Sequence, residues 1–358
     1  MNISTDIENI LIGPNSTILT SLKRMDEVRS KLLIVFGHGK YIGLLSIGDI
    51  QRAIINSVDL NSYISDIIRK DHIIVKPEQS IEEVKKMMIS IRAEFMPVVN
   101  IERELVNVYF WQDVFGEVQR KKETFLNLPV VIMAGGKGTR LQPLTNVIPK
   151  PLIPIGEKTI LEEIMDRFVA VGCCEFHMSV NYKAATIKHY LSELNNEAYD
   201  VSYFQEDKPL GTAGSMYLLK DKLNSTFFVS NCDIIIDQDL EDIYEYHKSN
   251  KNDITIVSAL KHHTIPYGTI ETEKNGVLKK LSEKPQVTYQ INTGVYILEP
   301  HVLNSIPEDQ FYHITHLIEN IKENNGKVGV FPISEGAWQD IGEWPEYKKV
   351  IANNGYII

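Results

Sequence analysis

Between residues 130 and 155 the chain reads VVIMAGGKGTRLQPLTNVIPKPLIPI. Gly135, Gly136 and Gly138 let backbone N–H groups come close to an anion, because no Cβ stands in the way. Arg140 adds a planar, permanently charged fork that matches phosphate oxygens. Lys150 lies between Pro149 and Pro151. Each proline fixes its own φ, so the segment aims a flexible lysine at low entropic cost. Two fixed cations beside a nest of N–H groups suit a polyanion such as a triphosphate. The loop is not a Walker A motif, which needs G-x-x-x-x-G-K-[ST]. Nor is it a dinucleotide fingerprint, since Leu141 stands where a third glycine belongs. A glycine-rich turn after a strand is weak evidence by itself. The arginine and the clamped lysine give it direction.

The surrounding pattern says what must position these residues. VVIMA (130–134) is a continuous apolar run of the kind buried in parallel sheets. TILEEIMDRFVAVG (159–172) is an amphipathic helix, with Thr159 as cap, Glu162 three residues on and Gly172 past its end. EFHMSV (strand), AATIKHYLSEL (helix), VSYF (strand), GTAGSMYLLKDKL (helix) and TFFVS (strand) follow in alternation. This predicts an α/β fold, a doubly wound, mostly parallel sheet with right-handed crossovers. Sites in such sheets lie at the carboxyl ends of the strands, where the glycine loop falls.

The 358 residues carry 37 Lys+Arg against 47 Asp+Glu, a net charge of −10. That balance argues against nucleic acid as a partner, which calls for a basic face. No leader pattern opens the chain and no apolar run is long enough to span a bilayer, so a cytoplasmic protein with no membrane partner is expected. Cys173, Cys174 and Cys232 form no C-x-x-C pair, and all three are expected as small buried residues rather than a disulfide or zinc set. His262, His263, His313 and His316 lack metal-ligand context.

A charged run and a proline, QRKKETFLNLP, separate residues 1–122 from 128–358 and mark the expected domain boundary. The first part contains a repeat, with halves at about 1–60 and 61–122. YIGLLSIGDIQRAI (41–54) matches ELVNVYFWQDVFGEV (104–118), and Asp49 is equivalent to Asp113. Each copy reads helix, strand, turn, strand, helix, and neither has much core alone. The repeat resembles a pair of CBS motifs, a small α/β module that often binds adenine nucleotides. The resemblance implies Ser46 and Asp49 as ribose and phosphate contacts. Phe110 stands where the second copy should carry a hydroxyl. The alternative is that Asp49 and Asp113 cap the helices that follow them.

GGKGTRLQPLT (135–145) and PKPL (149–152) together resemble the signature of the sugar-1-phosphate nucleotidyltransferases. The match extends in order to about residue 348. From the glycine loop, Ala134, Gly135, Gly136, Gly138 and Thr139 would line the nucleotide. PLGTAGS (209–215) is similar to the loop that places base and ribose, with Gly211 and Thr212. Gln205 or Glu206 would read the base edge. NCDI (231–234) supplies Asp233 and WQDIG (338–342) supplies Asp340 as the implied magnesium ligands. SEKP (282–285) implies Glu283 on sugar hydroxyls and Lys284 on the sugar phosphate, and Gly268 and Asn292 would complete the sugar site. Arg140, Lys150 and Lys284 would be catalytic. The implied reaction joins a sugar 1-phosphate to a nucleoside triphosphate, giving a nucleotide sugar and pyrophosphate. The attacking phosphate is already ionised, so no general base is required.

The CBS pair and the ending GKVGVFPISEGAWQDIGEWPEYKKV (326–350) are similar to bacterial guanylyltransferases of legionaminic-acid-type pathways. That likeness implies GTP and glucosamine 1-phosphate as substrates. Mannose, glucose or heptose 1-phosphate with dTTP, UTP or CTP stay open, as does a nucleotide-sensing regulator. A glycosyltransferase would need a D-x-D pair where this chain has Asn231-Cys232-Asp233. Assembly into a homo-oligomer is expected.

Overall fold

The structure, a computed structural model, describes residues 5–68, 74–91, 93–115, 125–206 and 208–353. The chain divides into two compact units, Met1–Lys121 and Lys122–Ile358.

In the first unit each repeat forms the expected succession. One copy runs Ile18–Val28, Leu32–Gly37, Lys40–Ser46 and Ile47–Ile55. The other runs Ile81–Ile91, Phe95–Val99, Leu105–Phe110 and Trp111–Phe115. The two central strands of each copy pair antiparallel. Alternation along Lys40–Ser46 sends Tyr41, Gly43 and Leu45 inward, as a strand with one buried face requires. The copies are tied at their hairpins. Tyr41 N–H donates to Arg103 C=O at 2.8 Å, and Arg103 Nε and Nη2 donate back to the carbonyls of Tyr41 and Ile42 at 3.3 and 3.2 Å. The charged run 119–124 falls outside the described residues.

The second unit is built on a seven-stranded sheet. From edge to edge its strands are Asp200–Gln205, Glu175–Val180, Val130–Met133, Phe227–Asn231, Gln286–Leu298, Ile254–Thr264 and Val328–Ile333. Gln286–Leu298 runs antiparallel to both neighbours, and the other pairings are parallel. Both faces are covered. Val130 and Ile132 feed one core with Ile164, Met165, Phe168, Ile187 and Ile243, all within 3 % of full burial. Val131 feeds the other, with Met216, Leu303, Leu317 and Val229. Strand alternation thus divides one short apolar run between two cores.

The helix Ile160–Val169 starts at a capping box. Thr159 Oγ1 accepts from Glu162 N at 3.3 Å, and Glu162 Oε2 accepts from Thr159 N at 2.8 Å. It buries Ile160, Leu161, Ile164, Met165 and Phe168, each worth roughly 1.5–3 kcal/mol of transfer energy. The expected helix over 211–223 is not formed. A 3₁₀ turn, Gly214–Leu219, takes its place. The N–H groups of Ala213 and Gly214 donate to Tyr312 C=O at 3.0 and 2.9 Å, so the backbone is committed to another segment before a helix can claim it.

Candidate active site

The glycine loop leaves the carboxyl end of Val130–Met133, and Ala134 N–H donates to Ser179 C=O at 2.9 Å. Gly138 has φ +63, and a Cβ there would stand 2.9 Å from Thr145 Cγ2 and 3.0 Å from Lys150 Cβ. Both the left-handed backbone and the tight contact demand glycine. Gly136 has nothing within 4 Å of its Cβ position, so its face is open to an approaching group. Thr139–Leu141 is a single 3₁₀ turn that presents Arg140 with its side chain 55 % exposed. Lys150 opens the turn Lys150–Leu152 after Pro149 and is buried.

Asp233 follows Phe227–Asn231, and its carboxylate is buried. The next strand, Ile234–Ile236, pairs antiparallel with Trp338–Asp340, with Ile234 opposite Asp340. Ile341 N–H donates to Asp233 C=O at 2.9 Å. This two-stranded ladder brings Asp233 and Asp340 together from positions over a hundred residues apart in the chain. Lys150 Nζ donates to Asp233 Oδ2, and Arg140 Nη2 lies 4.0 Å from the same oxygen. Gly342 closes the group. A Cβ on it would meet Asp233 Oδ2 and Asp340 Oδ1 at 2.7 Å each and Arg140 Nη2 at 3.0 Å. Three side chains therefore converge on one glycine, and Lys150 joins them through Asp233.

This convergence tests whether a divalent cation fits. Two carboxylate oxygens face one point that a methyl would fill, which suits a hard cation completed by phosphate and water oxygens. Among the described residues no group of three or more His, Cys, Asp or Glu ligands occurs, so Asp233 and Asp340 would be its protein ligands. The Asp340 carboxyl is held above its ordinary range. Burial is the main cause and the Asp233 charge adds to it, while the Gly342 N–H, Lys150 and Arg140 oppose.

The segment after Asp340 fastens the site. Arg140 Nη1 donates to Glu343 Oε1 at 2.8 Å, which raises the guanidinium pKa further. Trp344 Nε1 donates to Gln142 C=O at 3.0 Å, and Tyr347 Oη to Pro154 C=O at 3.0 Å. Gly342 is the last residue of the W-x-D-x-G element, but Glu343 and Trp344 are not singled out by sequence reasoning. Their only signal is adjacency to the W-x-D-x-G element.

On the nucleotide side the structure separates the two candidates for base reading. Glu206 lies against the glycine loop, with Oε1 3.4 Å from a Cβ at Gly135 and 3.3 Å from Asn181 Nδ2. Leu210 N–H fixes its other oxygen at 2.9 Å. Gln205 is exposed and accepts instead from Lys188 Nζ at 3.4 Å. Gly211, at φ +82, passes so close to Tyr312 C=O that a Cβ would stand at 2.7 Å. Thr212 Oγ1 accepts from Ile314 N–H at 3.0 Å, a link to the helix Ile314–Glu323.

On the sugar side Gly268 and Glu283 meet, with Glu283 Oε2 3.0 Å from a Cβ at Gly268. Lys284 follows in a left-handed conformation at φ 43 and is exposed. Among the described residues it has no ion-pair partner, and no contact joins it to the Asp233 group. Asn292 Oδ1 accepts from Gly294 N–H at 3.0 Å. Cys173 and Cys232 are buried as expected, but Cys174 is exposed, because it stands in the turn before Glu175–Val180.

In the first unit Ser46 and Asp49 form a capping box on Ile47–Ile55. Asp49 is not the N-cap; Ser46 is, and Asp49 Oδ2 accepts from Ser46 N–H at 2.9 Å. Arg52 pairs with the other oxygen. A cavity of about 640 Å³ opens at the hairpin end, lined by Tyr41, Lys76, Val99, Asn100 and Arg103 among others. Neither Ser46 nor Asp49 lines it. Asp113 lies on Trp111–Phe115.

A mostly parallel sheet with a glycine loop at one strand end and a carboxylate pair after the neighbouring strand suits the class of α/β proteins that handle phosphoryl groups. The comparisons with known proteins narrow it. The nucleotidyl transferase family model matches residues 129–354, and the chain belongs to that family. The CBS domain model matches residues 4–56 and 64–120. Mannose-1-phosphate guanylyltransferase 1 of Arabidopsis thaliana is 32% identical over 228 residues, 62% of this chain and 63% of that protein. The mannose-1-phosphate guanylyltransferase catalytic subunit beta of Dictyostelium discoideum is 34% identical over 222 residues, 60% of this chain and 61% of that protein. The chain thus spans under two thirds of the length of these relatives. The crystal structure of HddC from Yersinia pseudotuberculosis matches at TM-score 0.51 and 28% identity, covering 63% of this chain and 99% of that one. The same protein complexed with GMP-PN matches at TM-score 0.51 and 27% identity.

Proposed function

We propose that the chain transfers a guanylyl group from GTP to a hexose 1-phosphate, releasing pyrophosphate. The observation that carries the reading is the convergence of Arg140, Asp233 and Asp340 on Gly342, with Lys150 held on Asp233. Family membership supports the reaction class. The names of the mannose-1-phosphate relatives and the GMP-PN complex of HddC support guanine. Glu206 offers the carboxylate that guanine suits, since its N1–H and N2–H₂ are both donors.

The chemistry is a displacement at the α-phosphorus. A sugar-phosphate oxygen forms a bond to it while the bond to the β-phosphate oxygen breaks, and pyrophosphate carries the electron pair away. The nucleophile is already an anion, so the barrier is electrostatic. Arg140 and the N–H groups of the glycine loop would hold the β- and γ-phosphates. Lys150 would neutralise charge at the α-phosphate, and Lys284 would bring in the sugar phosphate. Asp233 and Asp340 would hold Mg²⁺, which when bound polarises phosphate oxygens and offsets their charge.

For the sugar, glucosamine 1-phosphate is favoured by the CBS pair, and mannose 1-phosphate by the names of the relatives. Binding of an adenine nucleotide at Ser46 and Asp49 rests on resemblance alone, because both side chains already serve the capping box. Calorimetry at millimolar AMP and ATP tests it, and no heat and no change in turnover would leave the unit a structural one.

The decisive assay is pyrophosphate release with Mg²⁺, crossing GTP, CTP, UTP, dTTP and ATP with glucosamine, N-acetylglucosamine, glucose and mannose 1-phosphates. Release with GTP and one of these sugars is expected. Release with another nucleotide would keep the mechanism and remove the guanine assignment. Silence across the whole grid would move the reading to the nucleotide-sensing regulator or to a sugar 1-phosphate outside the grid.

A further inference from the structure

The cation assigned to the leaving group already has a partner within the fold. Arg140 Nη1 donates to Glu343 Oε1 at 2.8 Å, and both side chains are about half exposed, at 55 and 53 %. Arg140 Nη2 faces Asp233 Oδ2 at 4.0 Å. The guanidinium therefore straddles two carboxylates, and only one of them belongs to the metal dyad. Glu343 follows Gly342, whose lack of a side chain lets this segment lie against Asp233, Asp340 and Arg140 together. It presents to Arg140 what a pyrophosphate oxygen would present, a single anionic acceptor in hydrogen-bond range. Next to it, Trp344 Nε1 on Gln142 C=O fixes the backbone that carries Arg140. The fold thus sets the backbone of Glu343 beside the turn that carries Arg140.

The geometry points to Glu343 as an internal stand-in for the leaving pyrophosphate. It keeps Arg140 paired when the site is empty, gives way when the triphosphate arrives, and takes Arg140 back as pyrophosphate leaves. The inference rests on the proposed reaction and adds a residue that sets the affinity for phosphate without touching the reacting atoms. An exposed pair contributes little, so exchange costs little. Removing the competitor should tighten every ligand that uses Arg140 by about 1.5- to 5-fold. Ligands that do not use Arg140 should be unaffected.

The test compares wild type with Glu343→Gln and Glu343→Ala, each first shown by thermal melting to be folded. Magnesium pyrophosphate binding is measured by calorimetry, and steady-state constants are measured for both substrates. Tighter pyrophosphate binding, a KM for GTP lowered by a similar factor, an unchanged KM for the sugar phosphate and a kcat that does not rise are expected. Weaker pyrophosphate binding would mean that Glu343 orients Arg140, and would overturn the inference. Unchanged binding would reduce the pair to a surface contact and overturn it too. If wild type binds neither pyrophosphate nor GTP, the proposed reaction itself fails and takes this inference with it.

Discussion

Gly342→Ala isolates the carboxylate cradle. The φ of Gly342 lies outside the left-handed region, so alanine's backbone is at ease there and the added methyl is the whole perturbation. That methyl would stand 2.7 Å from Asp233 Oδ2 and from Asp340 Oδ1, against ordinary contact at 3.4 Å, so each oxygen must withdraw by about 0.7 Å. Catalytic groups are held to roughly 0.5 Å, and a displacement near 1 Å costs about 10²-fold. Asp233 cannot swing freely, because Lys150 holds it and Ile341 N–H fixes its backbone. The expected result is a kcat down about 10²-fold and a raised half-saturating magnesium concentration, with a stability loss of about 1–3 kcal/mol. The assay is pyrophosphate release across a magnesium titration, with a thermal melt alongside. Wild-type kcat at wild-type magnesium dependence would show that the two carboxylates do not act at a common point.

Three further outcomes follow from the same geometry. Asp340→Asn keeps the oxygen that accepts from Gly342 N–H, at 2.8 Å, and removes a charge that burial penalises. A carboxyl whose folded pKa is raised costs stability once ionised. The variant should therefore melt higher than wild type near pH 7 in EDTA, with the gap closing as pH falls toward the ordinary 3.8, while turnover drops about 10²–10³-fold. Lys150→Ala leaves a buried carboxylate short of its partner and should cost about 3 kcal/mol in denaturant melts, with Lys150→Ala/Asp233→Ala recovering part of it; equal stability of the single and double variants would refute the pairing. Burial pushes the Cys232 thiol to about 12 and the Cys173 thiol to about 11, so iodoacetamide at pH 8 should modify exposed Cys174 first, as peptide mapping would show.

The sheet was legible because its strands are short apolar runs separated by helices whose caps are written locally, as Thr159 and Glu162 show. The glycine loop was legible for the same reason: glycines, an arginine and a proline-flanked lysine lie within one continuous stretch. What the sequence did not reveal depends on distant neighbours. Residues 211–223 carry a helical apolar pattern, yet Tyr312 C=O takes two of their N–H groups. Gln205 and Glu206 look interchangeable until the fold leaves Gln205 exposed at the end of its strand and sets Glu206, just past it, against Gly135. Glu343 is an exposed acid in a polar stretch, and nothing short of the folded site distinguishes it from other surface carboxylates. For Asp49 the sequence leaves a ribose or phosphate contact and a helix cap open, and the structure gives it a third place, the residue that answers the Ser46 cap.

The ladder between Ile234–Ile236 and Trp338–Asp340 has a consequence for the order of assembly. The last strand of the main sheet is Val328–Ile333, so every sheet strand precedes Asp340 in the chain. Until residues 338–347 dock, Asp233 lacks its partner carboxylate, Arg140 lacks Glu343, and the glycine loop lacks the Trp344 bond at Gln142. Scaffold and candidate site are thus separate in sequence. The strands of the sheet do not include residues 338–347, and the candidate site is complete only once those residues dock.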